Sequence, residues 1–103
     1  MNLRGCKNWN AHREKFLANH EPFDLIFIDG GHDEPVAAAD IANCARLATA
    51  DTVLLMDDIC PQGYGIGPST AWDKAVTDGA IVEHGRWLHA NAHYGFTWGK
   101  YVR

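Results

Sequence analysis

Basic residues are in short supply in this sequence. Nine Lys and Arg stand against thirteen Asp and Glu, a formal charge of -4. That balance gives nucleic acid or an anionic membrane no electrostatic footprint to bind. Cysteine is scarce too. Cys6, Cys44 and Cys60 are odd in number and show no C-x-x-C spacing, which argues against a disulfide framework or a zinc ribbon. They read as reduced thiols, and the chain as cytoplasmic. No apolar run nears the roughly 20 residues of a membrane span. Residues 1–19 carry Arg4 and Lys7 but no apolar core of a signal peptide. Length is the sharpest shortage. A complete doubly wound α/β domain of six strand–helix units needs roughly 145 residues. The chain has 103, enough for about four such units and one domain at most. What remains is an ordinary globular composition, 47% hydrophobic and 21% charged.

Residues 9–20 (WNAHREKFLANH) space Trp9, His12 or Arg13, Phe16, Leu17 and His20 as one face of a short amphipathic helix, closed by Glu21-Pro22. Residues 23–28 (FDLIFI) form a nearly continuous apolar run, as in a strand buried on both faces of a parallel sheet. The run stops at Asp29-Gly30-Gly31-His32-Asp33-Glu34. Pro35 suits a first helical turn, with Asp33 or Glu34 as N-cap. An alanine-rich helix is expected over 35–48, with its apolar stripe on Val36, Ala37, Ile41, Cys44 or Ala45, and Ala48. Residues 51–56 (DTVLLM) read as a second buried strand, ending in Asp57-Asp58. A glycine- and proline-rich loop (CPQGYGIGP) follows. Ser69 is the expected cap of a helix over 70–78, and Gly79 its stop. Residues 80–83 and 93–102 read as two further strands, the last an edge or hairpin strand by its alternation.

Two buried strands joined by a helix make a β-α-β unit. Both acidic clusters then fall at the carboxyl ends of neighbouring parallel strands, where open α/β sheets bind their ligands. Such strands lie about 4.8 Å apart, so Asp29, Asp57 and Asp58 can share one divalent cation such as Mg2+. Strand-end acids also cap helices and solvate loops without any ion. His32 follows Asp29 by three residues. An imidazole there serves as general base, metal ligand or helix-start hydrogen bonder. Gly30 and Gly31 permit a tight turn or a close backbone approach to a ligand. The segment Gly63-Tyr64-Gly65-Ile66-Gly67-Pro68 lacks the phosphate-binding glycine pattern and reads as a mobile loop, a lid beside the site. His89 and His93 are spaced H-x-x-x-H without a convincing helix to carry a zinc site. Trp72, Trp87 and Trp98 read as core or interface aromatics, with Trp72 the best placed to stack on a substrate.

The stretch FDLIFIDGGHDEPVAAADIANCARLATADTVLLMDDICPQG resembles the second half of class I S-adenosylmethionine (SAM)-dependent methyltransferases, in particular the small-molecule O-methyltransferase-like methyltransferase domain. The family pattern is a strand ending D-G-x-H, an alanine-rich helix with an internal Asp (Asp40 here), and a strand ending D-D. Related catechol-type enzymes carry D-N at the second position and bind magnesium. The resemblance covers residues 23–103 and implies an α/β fold: a partial Rossmann-like sheet of parallel strands with a C-terminal antiparallel hairpin, lacking the N-terminal strands. Residues 1–103 are then one partial domain, with 1–22 a leading helical segment. By position, Asp29 and Asp57 match metal ligands and Asp58 replaces the Asn. Asp29, Gly30 and His32 match cofactor-side positions, and His32 and Asp29 are the candidate catalytic pair. SAM and Mg2+ or a similar cation are the implied cofactors, and a small-molecule methyl acceptor the implied partner. The glycine-rich loop and ribose-binding acid of the family have no counterpart, so weak SAM binding or none is expected.

Two other readings fit parts of the pattern. A metal-dependent hydrolase also gathers Asp and His at strand ends, but it calls for a second metal and more histidines than His32. A non-catalytic fragment or pseudo-enzyme associating with another chain is the third. A sheet cut before its fourth strand exposes an apolar edge, which predicts self-association.

Overall fold

The computed structural model describes residues 23–60, 63–90 and 94–103. The helix expected over 9–20, Cys6 and His93 lie outside the described residues. Strand β1 (Leu25–Ile28) leads to helix α1 (Glu34–Ala45), strand β2 (Val53–Asp57), a 3-10 turn (Gly63–Gly65), helix α2 (Ile66–Thr77), strand β3 (Ile81–Leu88) and strand β4 (Gly95–Tyr101). The sheet order is β1-β2-β4-β3. β1 and β2 are parallel, with Leu25 opposite Val53 and Ile28 opposite Met56. β4 runs antiparallel to both β2 and β3.

The register follows from burial. Ile26, Ile28, Leu54 and Met56 are buried and join Ala37, Ile41 and Cys44 of α1 in one core cluster with Ala71 and Trp72 of α2. Each fully buried aliphatic side chain contributes about 1.5–3 kcal/mol. A one-residue slip would turn all four strand residues to the other face. Thr52 locks the start of β2: its hydroxyl donates to the Phe23 carbonyl at 2.5 Å. Tyr101, at the far end of β4, donates its hydroxyl to the Ile41 carbonyl at 2.5 Å and ties α1 to the sheet. Burial pushes the Cys44 thiol up to about 12, with the Asp40 charge adding to the effect, so this residue behaves as a small apolar core group.

Several expectations are corrected. β4 is the antiparallel hairpin strand of the two alternatives, paired with β3, but it is interior rather than an edge, lying between β2 and β3 with Gly95, Thr97, Gly99 and Tyr101 buried. β3 continues past Glu83 to Leu88 through an irregularity between Glu83 and Gly85. There Trp98 lies over Gly85, where any side chain would collide with its ring. Helix α2 begins at Ile66 rather than Thr70, so Ser69 is no cap. Its hydroxyl instead donates to the Cys60 carbonyl at 2.8 Å. Asp33 occupies the N-cap of α1 with extended backbone but makes no side-chain cap. Val36 is exposed, and α1 buries Ala37, Ile41 and Cys44.

Candidate functional site

The site forms where β1 and β2 end side by side. Asp29 follows the last residue of β1 and is buried. Asp57 closes β2, and Asp58 comes next with φ +62. An L residue enters this left-handed region at a cost of roughly 1–2 kcal/mol, and Asp is among the few that do so routinely. The backbone turns at this residue, and the Asp58 carboxylate meets His32 on the β1–α1 loop. His32 Nε2 lies 2.8 Å from Asp58 Oδ2. One carboxylate oxygen from each of Asp29, Asp57 and Asp58 lies within 4.8 Å of the other two.

Three glycines let these loops converge. A side chain on Gly30 would place its first carbon 2.5 Å from Asp40 Oδ2. Asp40 is half-buried on α1, and desolvation raises the pKa of its carboxyl group. Gly65 packs against Cys60 and the Asp58 carbonyl, and Gly67 against the His32 carbonyl and the Glu34 amide. The first turn of α2 therefore sits directly on both acidic loops. The Gly63–Pro68 segment, expected to be loop, is a 3-10 turn and a helix start. The signal was present as two glycines, Gly65 and Gly67, which read only as loop composition until their close neighbours are known.

The donor set suits a hard cation. Neighbouring oxygens on Mg2+ lie about 3 Å apart and opposite ones about 4.2 Å apart. Three carboxylate oxygens within 4.8 Å of one another are near enough for side-chain rotation to bring them to one ion. Among the described residues this is the one group of three or more His, Cys, Asp or Glu side chains that meets in this way. His89 joins no such group. It stacks on Tyr94, with ring centroids 4.4 Å apart. Trp72 does not face the site. It is fully buried, and its indole donates to Glu83 Oε1 at 2.9 Å.

A parallel β-α-β unit with acids at both strand ends, extended by an antiparallel hairpin, defines a partial Rossmann-like α/β sheet. A family described as a methyltransferase domain matches residues 6–59, just over half of the chain, and the chain belongs to that family. No curated protein matches it by sequence. Solved structures show the same fold at low identity. The O-methyltransferase of Bacillus cereus, in complex with SAH, superposes with a TM-score of 0.63 at 16% identity, over 90% of this chain and 46% of its own. The O-methyltransferase of Streptomyces achromogenes involved in tomaymycin synthesis, in complex with SAM, gives 0.59 at 14% identity, over 88% and 47%. The fibrillarin of Aeropyrum pernix, with natively bound SAM, gives 0.56 at 15%, over 85% and 40%. The chain thus spans less than half the length of these structures.

Proposed function

We propose that this chain is the acceptor-side half of a SAM-dependent methyltransferase that methylates an oxygen of a small molecule with the help of a divalent cation. The observation that carries the reading is the meeting of Asp29, Asp57 and Asp58 within 4.8 Å at the ends of two parallel strands. In this reading the three carboxylates hold the cation. The ion, when bound, lowers the pKa of a coordinated hydroxyl and orients it. His32, whose Nε2 lies 2.8 Å from Asp58 Oδ2, is in this reading the general base toward the acceptor hydroxyl. Asp29 and Gly30 would stand on the cofactor side in this reading, and the missing side chain at Gly30 makes room for the Asp40 carboxylate beside them. Among the described residues the cluster meets one histidine and forms one group of acids, which gives the two-metal hydrolase reading no support.

Titration with Mn2+, followed by electron paramagnetic resonance, tests this. One site per chain is expected, and Asp29→Asn and Asp57→Asn should each weaken it by about tenfold or more, roughly 1.4 kcal/mol. No binding, or binding indifferent to both substitutions, contradicts the reading. Calorimetry with SAM on the same chain should show weak binding or none, since no glycine-rich strand-loop is present. Micromolar binding would overturn that part.

A further inference from the structure

Strand β3 ends the sheet. The order β1-β2-β4-β3 gives it a single neighbour, and among the described residues no strand pairs with its outer edge. Its eight residues, Ile81–Leu88, read IVEHGRWL. That is long for an edge, and it carries neither Lys nor Pro, two residues by which edge strands avoid pairing. Val82, Trp87 and Leu88 are 52%, 45% and 38% exposed. His89 N–H donates to the Tyr94 carbonyl at 2.8 Å, and Val102 N–H donates to the Ala80 carbonyl at 2.9 Å. The backbone groups of Ala80 and His89 thus face β4, and by alternation those of Ile81 and Leu88 point away from the sheet.

This strand is complementary to its own reverse. Laid antiparallel on itself, IVEHGRWL sets Ile81 opposite Leu88, Val82 opposite Trp87, Glu83 opposite Arg86 and His84 opposite Gly85. Two pairs are apolar and one joins opposite charges, while the imidazole meets a residue without a side chain. A regular strand could not adopt this register. Opposed residues must share a face of the sheet, and neighbours such as residues 84 and 85 ordinarily point to opposite faces. The irregularity between Glu83 and Gly85 shifts the alternation by one residue and removes that obstacle. Before it, Ile81 lies in the core and Glu83 accepts from Trp72 of α2, so both point to the helix side. After it, Arg86 donates to Asp73 of α2 and takes the same side, as Leu88 does by alternation. Trp98 lies over Gly85, and the Trp87 ring is 5.6 Å from Phe96, so these two face the other way, with Val82. We infer that β3 pairs antiparallel with β3 of a second copy of this chain, joining two four-stranded sheets across a two-fold axis. An irregularity usually spoils an edge for pairing. Here both copies carry it at the axis, where it brings the matched residues onto common faces. Complementarity at all four kinds of pair selects a second copy over an unrelated extended segment. Eight residues span about 26 Å, and one strand edge buries less than the roughly 800 Å² per partner of a standard interface. The dimer is therefore weak, with a dissociation constant on the order of 10–100 μM.

Sedimentation velocity and amide hydrogen exchange on the full chain, from about 5 to about 500 μM, test this. A monomer–dimer equilibrium is expected, with the amides of Ile81 and Leu88 exchanging about threefold more slowly, or slower still, at the high concentration. Leu88→Pro removes an outward N–H and no hydrogen bond to β4, and should raise the dissociation constant about tenfold or more. If that variant does not fold, the exchange measured on the unaltered chain decides alone. A chain that stays monomeric throughout overturns the inference, as does a dimer that Leu88→Pro leaves intact. A dimer that protects amides of β1 while those of Ile81 and Leu88 exchange unchanged overturns it in favour of the opposite edge. None of these readouts depends on cation binding, so this inference and the metal reading fail separately.

Discussion

Asp58 concentrates the chemistry at a single residue. Its positive φ carries a conformational cost, and its carboxylate joins both the His32 contact and the three-acid cluster. Asn tolerates the left-handed region as well as Asp does. Asp58→Asn should therefore leave the melting temperature nearly unchanged, since an exposed His–Asp pair is worth about 0–1 kcal/mol, while Mn2+ affinity falls by about tenfold. A large loss of stability with unchanged affinity would assign the residue a structural role only. The sequence already shows Asp29, Asp57 and Asp58 as acids ending two buried strands, because a change from apolar run to acid is local. It does not show the left-handed turn at Asp58 or the His32 contact. That contact joins residues 26 positions apart and exists only once β1 and β2 pair.

At the scale of elements, Glu83 fastens helix α2 to the hairpin. Its Oε1 accepts from Trp72 Nε1 and Thr97 Oγ1, each at 2.9 Å, and from Arg86 Nε and Nη2 at 3.1 and 2.9 Å. Arg86 Nη2 also donates to Asp73 at 2.5 Å. Burial works against the Glu83 charge, yet the hydrogen bonds from Arg86, Thr97 and Trp72 hold its pKa below the ordinary 4.5. A carboxylate held low contributes stability that is complete above its unfolded value. That stability is lost as the pH falls through the lowered folded value. The melting-temperature advantage of the native chain over Glu83→Gln should therefore shrink between about pH 6 and about pH 3. An advantage that stays constant over that range would show that the charge plays no part. Nothing in the sequence flags Glu83, which sits in a short segment that reads as the end of a strand. The start of α2 is hidden in the sequence for a similar reason. Gly65, Gly67 and Pro68 look like loop composition, but the glycines are required by close packing against Cys60 and His32, and Pro68 is tolerated in a first turn.

At the scale of the molecule, the order of elements was legible and the order of strands was not. Periodicity and turn residues locate β1, α1, β2, α2 and the hairpin. The insertion of β4 between β2 and β3 pairs Asp57 with Phe96, a contact no local pattern specifies. That insertion also sets Phe96 beside Asp57 at the end of β2. Among the described residues a helix layer packs on one side of the sheet and none on the other, and the match spans less than half the length of the solved structures. The account centres on the strand-end acids as a cation site. Crystals of the chain soaked in Mn2+ and measured for anomalous scattering test it most directly. The account predicts one strong peak in contact with carboxylate oxygens of Asp29, Asp57 and Asp58. A cluster with no peak, while Mn2+ binds elsewhere on the chain, would contradict it.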